Sequence, residues 1–126
     1  MQRTEPLRLV ERYLDALAAR DFSAVRGCLA DTGFRYVSPI AQFDDPDAFV
    51  ASMEGVGAIL HRIDIVHRFE SDGVVCHVLD ITVNLEARRM RRVVEVARVQ
   101  GGRISDLEVI FDATEFHRMI ITDDQS

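Results

Sequence analysis

The feature that most constrains the fold is the stretch from residue 89 to residue 112, RMRRVVEVARVQGGRISDLEVIFD. It reads as two long strands joined by a tight Gly101-Gly102 turn, and strands of this length imply a broad, curved sheet. One acid, Glu95, sits inside the apolar run of the first strand. Because an unpaired charge is costly to bury, that carboxyl group is either paired structurally or placed to meet a ligand.

Two further long strands precede this pair. From residue 61 the hydrophobic pattern has a period of two, so His67 is predicted to share its face with apolar residues, Ile63, Ile65 and Phe69. That face is expected to look into the protein. A turn at residues 71–73 leads to a second strand over residues 74–85, in which the pattern leaves open the face that His77 occupies.

The first half of the chain predicts three helices and one short strand. Thr4 and Pro6 begin a helix with Tyr13 on the flank of its buried stripe, which consists of Leu7, Val10, Leu14 and Leu17. A second helix covers residues 22–30, and a strand over residues 34–37 stops before a proline. The sequence DDPD begins the third helix near residue 46, and residues 115–120 predict a terminal helical turn.

Three helices followed by long antiparallel strands predict an α+β fold, with the helices packed on one face of a curved, mostly antiparallel sheet. The sheet curls around the first helix and leaves a cone open at one end. At 126 residues the chain is expected to be a single domain with a real core. The central strands are apolar on both faces, so the residues on the outer face of the sheet also need to be buried against another surface. A second copy of the chain is the simplest cover, so we predict a homodimer through the outer sheet face.

Composition excludes several classes of partner. The formal net charge of -6 argues against nucleic acid or an anionic membrane surface as the main partner. No apolar run reaches the roughly 20 residues that span a bilayer, and the N-terminus lacks the apolar segment of a signal peptide, so a cytoplasmic location is expected. The four histidines show no metal-binding spacing, and no cofactor is implied. Cys28 and Cys76 are most simply small buried thiols.

All 15 basic residues are arginine, and four of them cluster at residues 88–92. Because lysine is absent, Schiff-base chemistry with a lysine is excluded. Charge at a hairpin tip most simply keeps that tip soluble. The alternative is that the cluster contacts an anion or an acidic substrate.

Three segments resemble the NTF2-like superfamily, also called SnoaL-like or ketosteroid-isomerase-like. They are RYLDALAARDFSAVRGCLAD, the helix start DDPDAF, and the closing GGRISDLEVIFDATEF. The resemblance covers nearly the whole chain and implies the cone-shaped fold. It implies no particular reaction, because the superfamily contains isomerases, cyclases, dehydratases, epoxide hydrolases and binding modules.

The ketosteroid isomerases give a closer comparison, since they stabilise a dienolate with a tyrosine and a protonated acid while a second acid moves the proton. By resemblance, Tyr13 falls on the tyrosine, Glu95 on the protonated acid and Phe111 on an aromatic residue of the pocket. Ser38 falls on the position of the catalytic base, where the family has an acid before the proline. A serine hydroxyl is not a base near neutral pH without an activating partner, so the resemblance stops short of steroid isomerase activity.

Each candidate residue also has a structural alternative. Glu95 lies among valines, which predicts a raised pKa and a role as hydrogen-bond donor or general acid. The alternatives are a buried pair with an arginine or a hydroxyl group on a neighbouring strand, or a register that turns Glu95 to the dimer face. His67 is a candidate proton shuttle, or else a histidine of the core or dimer seam. Tyr13 is a candidate phenol donor, or else packs at the helix edge. His77, like Ser38 and Phe111, is a candidate for ligand contact.

Two functions remain open. The first is a cofactor-free enzyme for a small apolar carbonyl compound, in which Tyr13 and Glu95 stabilise oxyanion charge and His67 moves a proton. Isomerisation, cyclisation and dehydration all fit these parts. The second is a non-catalytic ligand-binding or dimerisation module of the same fold. A solvent-reachable cavity lined by the three residues favours the first function, and a cone filled by side chains favours the second.

Overall fold

The structure, a computed structural model, describes residues 4–114. The helical turn predicted for residues 115–120 lies outside the described residues. The helices are α1 (Glu5–Ala18), α2 (Phe22–Gly27) and α3 (Pro46–Gly57). The strands are β1 (Arg35–Val37), β2 (Gln42–Phe43), β3 (Leu60–Ser71), β4 (Val74–Asn84), β5 (Arg88–Gln100) and β6 (Arg103–Ile110).

The helices begin where the sequence supplies caps. The Thr4 side chain accepts a hydrogen bond from the backbone N–H of Leu7 at 3.4 Å, and a proline follows in the first turn of α1. Asp45 caps α3 in the same way, accepting from the N–H of Asp47 at 3.0 Å, with Pro46 at the first helical position. The predicted starts of both helices are therefore explained by local hydrogen bonding.

The six strands form one sheet in the order β2-β1-β6-β5-β4-β3. Neighbouring strands are antiparallel except β1 and β6, which run parallel. Gly101 and Gly102 join β5 to β6 with positive φ angles of 59° and 75°, as a two-residue hairpin turn requires. The short strand β2 was not predicted, because two residues carry no readable periodicity.

The core lies between the concave face of the sheet and the helices. Val10 and Leu14 of α1 are buried against inward-facing residues of the central strands, among them Val75, Leu79 and Ala97. The predicted α+β architecture, with three helices on a curved and mostly antiparallel sheet, is confirmed. Cys28 is buried as expected, whereas Cys76 is only half-buried because it lies on the outer face of β4.

One irregularity in β3 reverses a prediction. Ile65 pairs with Leu79 and His67 with Val78, so Val66 is an extra residue that forms a β-bulge. Since side chains alternate along a strand, one extra residue exchanges the two faces beyond it. His67 and Phe69 are therefore exposed on the outer face, and the prediction that they share the inner face with Ile63 and Ile65 is wrong.

Candidate functional site

A cavity of about 330 Å³ lies between the concave face of the sheet, α1 and α3. Its wall is mainly aliphatic and aromatic, and the buried part of that wall includes Leu14, Leu17, Tyr36, Leu60, Leu79 and Val93. The exposed residues of the wall mark its open end, which we call the mouth: Ile40, Val56, Leu85, Arg89 and Asp112. The volume lies at the lower end of the range of small-molecule sites.

Glu95 is the buried acid of this wall. It lies on the inner face of β5, directly opposite His77 of β4 and Val109 of β6, and its exposed fraction is 5%. Within residues 4–114 its Oε1 atom has no hydrogen-bond partner. Burial in this apolar setting disfavours the carboxylate and raises the pKa of Glu95 from 4.5 to about 7. The sequence-based expectation of a raised pKa agrees with this environment.

Tyr13 lies behind the wall and is not among the residues that line the cavity. Burial raises the pKa of its phenol well above 10, and the charges of Glu95 and Tyr36 add to the increase. Tyr36, which the sequence reasoning missed, does line the cavity. Burial raises the pKa of Tyr36, although a hydrogen bond with Ser38 opposes that increase. The alternation of apolar and charged residues in Phe34-Arg35-Tyr36 is a sequence signal that could have identified Tyr36 as inward-facing.

Ser38 and Phe111, the residues predicted to contact a ligand by resemblance, both line the cavity. The Ser38 hydroxyl is occupied by the turn that follows β1, where it accepts hydrogen bonds from the N–H groups of Ile40 at 3.3 Å and Ala41 at 3.2 Å. These bonds fix the direction of the hydroxyl and supply no base to activate it. Phe111 follows β6 directly and extends the apolar wall towards the mouth.

His77 is fully buried and does not line the cavity. Its Nε2 lies 2.9 Å from Oε2 of Glu11 on α1, and the same oxygen accepts a hydrogen bond from Nε of Arg68 at 2.7 Å. Within the described residues, Nδ1 of His77 has no partner. Glu11 was missed by the sequence reasoning, although its spacing from Leu7 and Leu14 places it on the buried row of α1.

The Glu11 carboxylate is stabilised by its neighbours. Desolvation by burial raises its pKa, but hydrogen bonds from His77 and Arg68, together with their charges, outweigh that effect and lower the pKa overall. We refer to Glu11, His77 and Arg68 as the paired cluster. His67, in contrast, lies outside both the cavity and this cluster, 6.3 Å from the ring of Phe69 on the outer face.

Of the six predicted site residues, the structure therefore brings Glu95, Ser38 and Phe111 together around one cavity. Tyr13 and His77 are buried beside Glu95 without reaching the cavity wall, and His67 is separate. In residues 4–114 no group of three potential ligand side chains is arranged to hold a metal ion. No helix in that range is long and apolar enough to cross a membrane.

Comparison with known proteins identifies the family and the fold of the chain. A family model described as SnoaL-like domain matches residues 10–107, which is more than half of the chain. No curated protein matches the sequence. Several solved structures do match it, all with one overall fold.

A protein from Kribbella flavida is 26% identical, with a TM-score of 0.82 over 95% of this chain and 97% of that chain. An NTF2-like protein of Cytophaga hutchinsonii is 22% identical, with a TM-score of 0.76 over 93% and 97%. An LEH-like epoxide hydrolase of M. tuberculosis is 19% identical, with a TM-score of 0.79 over 97% of each chain. The chain belongs to the SnoaL-like domain family and has the NTF2-like fold.

Proposed function

We propose that the protein binds a small, largely apolar molecule in the cavity, and that Glu95 in its protonated form donates a hydrogen bond to a carbonyl or hydroxyl oxygen of that molecule. The observation that carries the proposal is the position of Glu95, a buried carboxyl group in a mainly apolar wall, whose Oε1 has no partner within residues 4–114. A buried polar atom of this kind is costly to leave unsatisfied, and an incoming oxygen removes the cost.

The pKa of Glu95 suits acid–base chemistry as well as binding. A pKa of about 7 leaves comparable amounts of acid and carboxylate at neutral pH, so one residue can give a proton and take it back. A protonated carboxyl group in an apolar site also stabilises an oxyanion that develops on a bound carbonyl group. Isomerisation, cyclisation or dehydration of an apolar carbonyl compound uses these properties.

The other residues take smaller parts in this proposal. The buried phenol of Tyr13 lies behind Glu95 and interacts with it electrostatically, and His77 lies opposite Glu95 on the neighbouring strand β4. Both influence Glu95 without lining the cavity. Ser38 and Phe111 shape the wall around the ligand. His67 has no part, because the bulge in β3 turns it to the outer face. The LEH-like epoxide hydrolase shares the fold at 19% identity, which supports the architecture alone.

The test uses two ligands that differ in one oxygen, 1-tetralone and tetralin, with affinity measured by calorimetry at pH 6. Wild type and Glu95→Gln, which both keep a donor, are expected to bind the ketone about tenfold more tightly than the hydrocarbon, as a satisfied buried hydrogen bond implies. Glu95→Leu is expected to lose that preference. Equal preference in wild type and Glu95→Leu contradicts the proposal. If a reaction is found for this cavity, Glu95→Gln is expected to bind the ligand but to lose proton transfer, so the variant distinguishes binding from catalysis.

A second function, a non-catalytic binding or dimerisation module, is favoured by the outer face of the sheet. Phe69 and Ile110 are 59% and 50% exposed there, and half-buried apolar residues lie between them: Cys76, Val78, Val94 and Val96. We propose that a second copy of the chain covers this face, since a continuous apolar surface of this kind is typical of an interface. The predicted cytoplasmic location stays a prediction.

Sedimentation velocity tests whether the outer face is a dimer interface or is exposed on a monomer. The wild-type chain is expected to sediment as a dimer and Ile110→Glu as a monomer, whereas Glu54→Gln, an exposed change on α3 and so on the other side of the sheet, leaves the dimer intact. A moderate interface has a dissociation constant of roughly 1 µM. A wild-type chain that stays monomeric at a concentration on the order of 100 µM, well above that value, therefore contradicts the dimer.

A further inference from the structure

The arginine cluster at residues 88–92 is divided by the strand between the two faces of the sheet. Arg89 and Arg91 line the cavity, and they pair in register with Val83 and Ile81, which also line it. Arg92 lies on the outer face, where its guanidinium forms an ion pair with Asp80 at 2.6 Å. Charge that only keeps a hairpin tip soluble has no need to line a cavity, yet two of these arginines do so, Arg89 exposed at the mouth and Arg91 half-buried.

We propose, resting on the function proposed above, that the ligand carries a carboxylate at the end remote from Glu95, and that Arg89 and Arg91 bind this carboxylate at the mouth. The ligand class is therefore an apolar acid with a carbonyl or hydroxyl group at its far end. Guanidinium groups suit this role because their planar N–H donors match the two oxygens of a carboxylate.

The local charge supports an anion at this place. Besides the buried Glu95, residues 4–114 give the wall of the cavity two guanidinium groups and one exposed carboxylate, Asp112, at or near the mouth, whereas the chain as a whole has a net charge of -6. A positive site on a negative protein focuses anions into the opening. Both arginines already have interactions within the protein, and Nη1 of Arg91 donates to the carbonyl of Met90 at 2.8 Å. Each guanidinium has five N–H donors, so such interactions leave capacity for a ligand.

The strand also sets the length of the ligand. Arg91 is four residues from Glu95 along β5, and a rise of about 3.3 Å per residue separates their backbones by about 13 Å. Because Arg91 and Glu95 both line the cavity, a ligand with about 10 Å between its two oxygen-bearing ends is expected to span the site. The wall between the two ends is apolar: Val93 lies between Arg91 and Glu95 on β5, and Ile81 and Val109 lie on the strands to either side.

The test compares two probes of this length that differ only in charge, 9-oxodecanoate and its neutral primary amide, with dissociation constants measured by calorimetry at pH 7. Wild type is expected to bind the acid about tenfold more tightly than the amide, since hydrogen bonds to charged groups contribute more than neutral ones. Arg91→Gln is expected to lose this preference and Arg89→Gln to reduce it. Arg88→Gln is the matched control, because residue 88 lies on the same strand, is exposed and does not line the cavity.

The outcomes separate this inference from the function on which it rests. If both probes bind wild type equally well, the carboxylate site is wrong while ligand binding in the cavity stands. If neither probe nor 1-tetralone binds, both proposals fall. If Arg88→Gln removes the preference as fully as Arg91→Gln, general electrostatic attraction explains it and the site is again wrong. Retention of the preference in Arg88→Gln together with its loss in Arg91→Gln supports the site.

Discussion

Glu11 and Glu95 are the same residue type, both 5% exposed, yet their surroundings give them opposite properties. Glu11 belongs to the paired cluster, where His77 and Arg68 hold its carboxylate and the pKa is lowered despite desolvation. Glu95 lies in the mainly apolar wall, where its Oε1 has no partner among the described residues, and desolvation raises its pKa to about 7. Burial alone therefore does not decide the charge of an acid, because the partners available to it decide whether it holds a proton.

The two environments also suit different roles, one in stabilising the fold and one in contacting a ligand, although they lie close together in the protein. His77 contacts Glu11 directly and lies opposite Glu95 in the sheet, so it stands between the two environments. A carboxylate with two partners is satisfied and stabilises the packing of α1 on β3 and β4. A protonated acid with an unused oxygen beside a cavity remains available to a ligand. The predictions below change one environment at a time.

The largest effect is expected from breaking the paired cluster. Glu11→Ala leaves Nε2 of His77 and Nε of Arg68 without their acceptor, and loss of one member of a buried charged group typically costs about 3 kcal/mol or more in the free energy of unfolding. Urea denaturation at pH 7 measures it. Asp64→Ala is the control, since its ion pair with Arg62 is exposed and worth less than about 1 kcal/mol. Equal losses in the two variants contradict the importance of the cluster.

The second effect concerns the proton on Glu95. Its folded pKa of about 7 lies above the usual 4.5, so the stability that protonation contributes is fully present below pH 4.5 and is lost as pH rises through 7. Over that window the free energy of unfolding of wild type should fall by about 3 kcal/mol relative to Glu95→Gln, which has no such titration. Unfolding at pH 4.5 and pH 8 measures the difference. Glu108→Gln, an exposed change on β6, is the control: its free energy of unfolding is expected to change with pH by the same amount as that of wild type.

A smaller effect follows from giving Glu95 the kind of partner that Glu11 has. Val109 is directly opposite Glu95 on the inner face, and Val109→Lys places an ammonium group beside the carboxyl group. The pKa of Glu95 is expected to fall by at least about one unit, equivalent to ~1.4 kcal/mol. An NMR titration of the Glu95 carboxyl carbon reports it. Ile110→Lys, one residue further and on the outer face, should leave that pKa near 7; an equal fall there means that the effect is not local.

The smallest effect is expected at His67, which belongs to neither environment. His67→Ala should change the affinity for 1-tetralone by less than about twofold, because the side chain lies on the opposite face of the sheet from the cavity. Calorimetry of the same ligand with Glu95→Leu gives the scale for comparison. A loss at His67 as large as that at Glu95 would mean that the outer face also contacts the ligand.

The sequence predicted the helices, the four long strands and the α+β class because each of these has a strong local signal. Caps at Thr4 and Asp45, the period of α1 and the Gly101-Gly102 turn are all properties of a few neighbouring residues. Glu95 was identified for the same reason, since an acid within a run of valines is conspicuous in the sequence.

The remainder depends on contacts between distant residues. Glu11 meets His77 across 66 positions of sequence and Arg68 across 57, and no local pattern contains those pairings. The cavity depends on how α3 and the mouth residues pack over the sheet, which periodicity does not describe. The face of His67 was mispredicted because alternation was counted through Val66 without the bulge.

That bulge has a consequence for which changes of chain length β3 tolerates. Removing the codon for Val66 would take out the one extra residue, so Ile65 and His67 would follow each other in plain alternation, and Arg68 would still meet Glu11. A single in-frame deletion at this position is therefore expected to remove the bulge and to keep the inward side chains over the second half of β3. Val66 marks a point at which the chain can change in length without changing the interior of this protein.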